Sequence, residues 1–406
     1  MIESGSRTLA TAGHHLQQSL IGYEPVIDQR RNAVAMRINL QPDASANTAA
    51  LYRELAVLWA DGGSPVVLRS SAAIDEELLS VPPLKHVWIE VPVAVTENGE
   101  GQALLGQLRR SGYTMVLGGR PRSPLPPDLV PAFQMSVIHV DDDRRLQAAA
   151  PPAAPAGVKR SIPFVQAGVR QIATMEQCFA RGAYAVIGWP MDDAMEHASR
   201  SNSNPDYSTI IQLMSMIEDD ADPSDMERLI RRDAALAYKL LRYINSPGFG
   251  LSVEVQSFRH AVMMLGYARL KRWLALLLAT ACKDANLRPV MVASFRRGVF
   301  LEHLIGTDQE AGLRDEVFIL GVFSLLDKLM HQPFDVLFEK MHVPERVRET
   351  LVTGRGAYAP YLKVVESIES GPDASLRDRL DDCVMSLEQC NRAVLSALTA
   401  PDLVGA

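Results

Sequence analysis

The sequence predicts two domains of different class: an α/β barrel of reduced size over residues 19–190 and an all-helical domain over residues 207–406. Three observations carry that expectation. Eight short apolar runs of strand character punctuate the first half, with helix-period segments between several of them. Residues 222–283 carry helix starts and stops in close succession. The run Trp273–Cys282 is nearly all apolar, which suits the buried centre of a helical domain.

In chain order, residues 1–18 read as an N-terminal extension. Ile21–Asp28 and Ala33–Leu40 are the first two strands, joined by a turn at Gln29–Asn32. Ala49–Ala60 repeats Leu51, Leu55 and Leu58 at helical spacing. Short strands follow at Pro65–Leu68 and Val87–Val91, a helix at Leu104–Ser111, and strands at Tyr113–Leu117, Ser136–Val140, Pro163–Gln166 and Tyr184–Ile187. Gln147–Gly157, QAAAPPAAPAG, is an Ala/Pro loop within the barrel. Residues 191–206 are polar, end in turn residues and read as the linker.

Tyr207–Ile217 opens the helical half with Ile210, Met214 and Ile217 on one face. Ser224 and Glu227, three apart, read as a capping box for the next helix. Asp233 can cap another, with Leu236, Leu240, Tyr243 and Ile244 inward, and Asn245–Gly248 stops it because Pro lacks a donor and Gly tolerates positive φ. Helices are expected at Phe258–Gly266, Tyr267–Cys282, Val292–Leu304, Glu316–Met330, Pro333–Met341, from Pro344 to Gly354, and at Tyr358–Ser370. Pro372–Leu398 reads as one long terminal helix.

The chain has 406 residues and a net charge of −7, so it is not an obvious polyanion binder. Residues 222–283 nevertheless hold ten Lys/Arg against five Asp/Glu. Arg231, Arg232, Lys239, Arg242, Arg259, Arg269, Lys271 and Arg272 read first as a solvated helix surface and second as a face for an acidic partner. Cys178, Cys282, Cys383 and Cys390 form no C-x-x-C pair, which predicts reduced cysteines and a cytoplasmic protein. The first residues lack an apolar stretch of the kind a signal peptide needs, and no apolar run is long enough to span a bilayer. No Walker loop or G-x-G-x-x-G is present, and Ser246–Gly250 reads as a helix stop. His260, His303, His331 and His342 are scattered on helices without a His-Asp dipeptide, so no cofactor or metal is expected in this half.

The segments DPSDMERLIRRDAALAYKLLRYINSPGFG, SFRHAVMMLGYARLKRW, FILGVFSLLDKLM and VPERVRETLV resemble, in order, the HDOD family, helical relatives of the HD phosphohydrolases. The segments YEPVIDQRRNAVAMRINL, LLSVPPLKHVWIEVP, GYTMVLGG and FARGAYAVIGW resemble EAL domains, barrels that hydrolyse cyclic di-GMP. The resemblance implies a degenerate member. The glutamate that names the family falls on Arg37, its metal-holding aspartate pair on Gly118 and Gly119, its third-strand asparagine on Leu68 or a neighbour, its late lysine on His139, and its seventh-strand glutamate near Ala167. Only Glu90 keeps a carboxylate, and Arg37 can pair with it across the barrel mouth.

The expectation is therefore a shortened, degenerate EAL-type (β/α) barrel followed by an HDOD domain, acting without catalysis in bacterial second-messenger signalling. Another signalling protein is the expected partner, met through Arg242, Asn245, Ser246, Arg269 and Arg272. Cyclic di-GMP enters as a ligand that would not be hydrolysed; an active phosphodiesterase is the remaining reading. No specific nucleic acid and no membrane insertion are expected, and self-association is left open.

Overall fold

The computed structural model describes residues 14–42, 47–58, 65–121, 123–143, 162–196, 205–231, 233, 236, 258–282, 284–306, 311–339 and 341–400. Eight strands close a barrel in chain order. They are β1 Leu20–Asp28, β2 Ala33–Gln41, β3 Val66–Ser70, β4 Val87–Pro92, β5 Met115–Gly118, β6 Phe133–His139, β7 Phe164–Ala167 and β8 Ala185–Ile187. From β2 to β8 each strand runs parallel to the next. β1 is antiparallel to both β2 and β8 and closes the ring. All eight predicted strands are present.

The strands read as near-continuous apolar runs because both faces are covered, as in parallel sheets generally. Alternate residues point inward. Val26, Ala35, Val67, Val116, Val137 and Val165, from six strands, pack together as the inner core. Around the barrel lie α1 His14–Gln18, α2 Thr48–Leu58, α3 Gly99–Arg110 and α4 Ile172–Ala180. Asn98 caps α3 by accepting from Gly101 N at 2.7 Å. Asp193 caps α4, its carboxylate accepting from Ile172 N at 2.6 Å and Ala173 N at 3.0 Å. The N-terminal extension therefore stops short of α1, and the linker begins after Asp193 instead of at Met191.

The remaining helices are α5 Pro205–Glu218, α6 Pro223–Ile230, α7 Phe258–Thr280, α8 Arg288–Leu304, α9 Ala311–Phe323, α10 Leu326–Met330, α11 Phe334–Glu339, α12 Glu345–Thr353, α13 Ala359–Ser370, α14 Ser375–Asp382 and α15 Leu387–Thr399. The α6 cap is Asp222, which accepts from Ser224 N at 2.7 Å, so the predicted Ser224 capping box gives way to an Asp cap with Pro223 in the first turn. Asp233 caps as expected, accepting from Leu236 N at 2.9 Å. Gly266 breaks α7 with φ 72° and ψ 165°, at the predicted boundary between two helices. α8 is buried on every side, and a Cβ on Gly321 of α9 would lie 2.5 Å from Gly298 N, so the two helices cross almost backbone to backbone.

The predicted terminal helix is two helices. Val384 takes φ 56° between them, and Ser386 starts α15 with a capping box: Gln389 N donates to Ser386 Oγ at 3.2 Å and Ser386 N to Gln389 Oε1 at 2.8 Å. The chain groups into two compact units. Among the described residues, 194–365 form one, while 366–399 group with the barrel instead of with the helical half to which the sequence assigned them. Gln147–Gly157 and the Asn245–Gly250 turn lie outside the described residues. Among the described residues no helix is long and apolar enough to cross a membrane.

Candidate functional site

The barrel mouth lies at the C-terminal ends of the parallel strands, where barrels of this class carry their chemistry. Strand alternation puts Arg37 two residues beyond Ala35 on the inner face of β2, and Glu90 on the inner face of β4. Arg37 is 4% exposed and Glu90 7%. They form a bidentate pair: Arg37 Nε donates to Glu90 Oε2 at 2.8 Å and Nη2 to Oε1 at 2.7 Å. The planar guanidinium matches the carboxylate fork in a way that a lysine could not.

Neighbouring inward positions extend this pair. Glu24 stands directly opposite Arg37 in the β1–β2 register, its Oε2 3.6 Å from Arg37 Nη1. Asn39 Nδ2 donates to the same Glu24 oxygen at 2.9 Å. Arg69 Nε approaches Glu90 Oε1 at 3.9 Å from the end of β3. Gly118 permits the arrangement, because a Cβ there would lie 2.8 Å from Glu90 Oε1. Gly119 takes φ 103° and donates its N–H to Val137 O at 2.8 Å, so it serves the strand end and not a ligand.

His139 ends β6 with Nδ1 3.2 Å from Asp141 Oδ2, and its ring fills the space beside Gly168, where any Cβ would collide with it. On the loops after β7 and β8, Arg170 Nε donates to Asp192 Oδ2 at 2.8 Å and Nη2 to Oδ1 at 3.3 Å. That hydrogen bond, against partial desolvation, holds the Arg170 guanidinium above its ordinary value, with the charges of Asp192, Glu369 and Glu24 adding to it. Leu68 is fully buried, and it is its neighbour Arg69 that belongs to the mouth. Ala167 is part of the inner core.

The predicted partner-binding residues of the helical half are not brought together as a free cationic face. Arg242, Asn245 and Ser246 lie outside the described residues, and Arg269 is exposed on α7. Arg272, read as a surface cation, is half-buried in an ion network. Its Nη1 donates to Glu302 Oε1 at 2.9 Å and Asp315 Oδ1 at 3.0 Å, its Nη2 donates to Glu302 Oε2 at 2.6 Å, and the guanidinium lies 4.0 Å from the Phe318 ring centroid. Arg314 Nη2 donates to Glu302 as well, at 3.1 Å. Lys271 pairs with Glu218, and burial lowers its amine below the ordinary value. The reading of both residues as a solvated helix surface is thus corrected: acidic groups of other helices meet them. His303 Nδ1 lies 3.0 Å from Val299 O and His342 is exposed. Among the described residues, no three His, Cys, Asp or Glu side chains gather as a metal-binding group.

Sequence reading missed Glu24, Asn39, Arg69, Arg170, Asp192 and Glu369. Strand parity would have supplied the first three, since each lies two residues from an inner-core or mouth position on its own strand. Glu369 has no local signal, because it reaches the barrel only through tertiary packing.

Residues 205–332 match the HDOD domain family. Over 195 residues, 48% of this chain and 45% of the relative, the protein is 25% identical to cyclic di-GMP phosphodiesterase CdgJ of Vibrio cholerae. Over 170 residues, 40% of this chain and 41% of the relative, it is 25% identical to the uncharacterized protein YuxH of Bacillus subtilis. The match thus spans less than half the length of either curated relative. A Klebsiella pneumoniae BlrP1 calcium/cy-diGMP complex aligns over 45% of this chain and 57% of its own, with 16% identity and a TM-score of 0.33, too loose a fit to establish a shared fold. The chain therefore carries an HDOD domain at residues 205–332, preceded by a closed eight-stranded barrel.

Proposed function

We propose that the protein is a non-catalytic regulator in cyclic di-GMP signalling, with a degenerate EAL-like barrel that has given up hydrolysis and an HDOD domain that meets another signalling protein. One observation carries this reading: Arg37 occupies both oxygens of Glu90, the one carboxylate retained where the EAL resemblance requires several. Divalent hydrolysis needs carboxylates converging on an ion that activates water. The residues present do not fit such an ion. A guanidinium already neutralises Glu90, glycines stand at Gly118 and Gly119, Arg69 brings a second cation to 3.9 Å from Glu90, and the further carboxylate Glu24 faces the same Arg37. The signalling context rests on the HDOD match and on the name of the Vibrio relative.

Calorimetry of the full chain with cyclic di-GMP, with and without magnesium, tests the reading, alongside chromatography of the products. Neither binding nor turnover is expected. Binding without turnover would make the barrel a nucleotide receptor, and magnesium-dependent turnover would overturn the proposal.

A further inference from the structure

The segment after the helical domain belongs physically to the barrel. α15 is buried almost all round, with Cys390, Asn391, Ala393, Val394, Leu395 and Ala397 among its covered residues, so it sits in a core and not on a surface. Asn391 is 1% exposed, and its Nδ2 reaches three backbone carbonyls at the end of α1: Leu16 O at 2.9 Å, Gln17 O at 3.0 Å and Ser19 O at 2.7 Å. Those are carbonyls that a helix C-terminus leaves without internal partners. The start of α1 is fixed separately by Glu54 of α2, which accepts from His15 N at 3.1 Å and Leu16 N at 2.7 Å. α1 is too short to be stable alone, so these two side chains hold it.

A second contact lies on the face of the β1–β2 pair that also carries Glu24 and Arg37, at the Gly22 end of β1. A Cβ on Gly22 would stand 2.7 Å from Ile368 O and closer still to the Pro372 ring, so β1 carries a glycine where the end of α13 and the following turn press against it. Gln41 Nε2, at the far end of β2, donates to Pro372 O at 2.9 Å. The seat thus engages the segment at both of its ends, with Gly22 and Gln41 under the turn and α1 under Asn391.

We propose that residues 366–399 are the closing strap of the barrel domain, so that the helical domain is inserted within that domain instead of being appended behind it. The occupant of the α1–β1–β2 seat is this segment of the same chain. The barrel over residues 14–193 is incomplete without it, because the C-terminus of α1 and the Gly22 end of β1 would be left without the groups that cover them.

Hydrogen exchange of the full chain tests the strap. In Asn391→Ala, amide protection should fall about tenfold or more in residues 16–23 and 387–399 together, since buried carbonyls lose their donor while helix and strand loosen as one unit. Protection in 288–304 should stay within about twofold of the wild type. Gln41→Ala, a milder change at the other contact, should loosen 33–41 and 366–382 and serves if Asn391→Ala does not fold. The proposal is overturned if 387–399 loses protection while 16–23 keeps it, because the segment would then decorate a barrel that stands without it. Unchanged exchange in both variants would overturn it as well.

Discussion

Arg37 and Glu90 form a bidentate ion pair buried on the inner face of the barrel. Two charges buried together are tolerable because each satisfies the other, and removing one strands its partner at a cost of about 3–5 kcal/mol. Arg37→Met should therefore lower the unfolding free energy from denaturant titration by about 3–5 kcal/mol, whereas the double variant Arg37→Met/Glu90→Leu should recover most of the loss. If the single variant is as stable as the wild type, the pair is not formed in solution. Arg272 behaves similarly in the helical half, so Arg272→Glu should destabilise the protein instead of leaving it unchanged, as a solvated residue would. Its partner Glu302 carries a pH signature. Burial alone would push that carboxyl up, but the hydrogen bonds and charge of Arg272 outweigh it and hold the group below its ordinary value of 4.5. A carboxyl depressed on folding adds stability that is fully present above the unfolded value and is lost as pH falls through the folded one. Stability measured by urea titration should thus decline from about pH 5 downward, and Glu302→Gln should flatten that decline.

At the scale of elements, two backbone positions decide how helices end and meet. Val384 holds φ 56° and is 92% exposed, so a β-branched side chain sits in the left-handed region with no packing to offset the strain. Val384→Gly should raise the thermal midpoint, by the equivalent of about 1 kcal/mol, and an unchanged or lower midpoint would argue against a strained turn. Gly321 is the opposite case. With α8 and α9 in near backbone contact, Gly321→Ala forces the helices apart and should cost about 1–3 kcal/mol as overpacking. The strands and the Gly266 break were legible because each rests on local chemistry, apolar runs bounded by turn residues in one case and a residue free to adopt positive φ in the other. The α14–α15 break was missed, because the continuous apolar stripe across it reads as one helix although Ser386 and Gln389 spell a capping box.

For the whole molecule, both units have their own cores, and a cut in the segment between them should leave the two fragments associated, because residues 366–399 stay seated on the barrel. Limited proteolysis should cut within residues 197–204 or 144–161, where Ser/Asn-rich and Ala/Pro-rich sequence carries no apolar pattern. Early cuts inside α8 or the barrel strands would refute the division. Thiol chemistry gives a global check on packing. Burial raises the Cys383 thiol to about 11 and the Cys390 thiol to about 12, and Cys178 is buried among barrel residues. A disulfide-exchange reagent at pH 8 should release these three slowly in the native protein and all four thiols at once in denaturant.

The sequence by itself determined the barrel strands, most helices of the second half and two of the charges at the mouth, Arg37 and Glu90, because strand alternation, helix period and residue type are local properties. Arg37 facing Glu90 was already implied by the family resemblance and by the residues standing there. What only the tertiary structure decided is which side of a helix a charge occupies and which unit a segment joins. Lys271 and Arg272 turned inward because Glu218, Glu302 and Asp315 come to meet them from other helices. Residues 366–399 joined the barrel because Gly22, Gln41 and the α1 carbonyls offer them a fitted seat. Those partners lie tens to hundreds of residues away, and no local pattern encodes a contact whose free energy depends on both sides being folded.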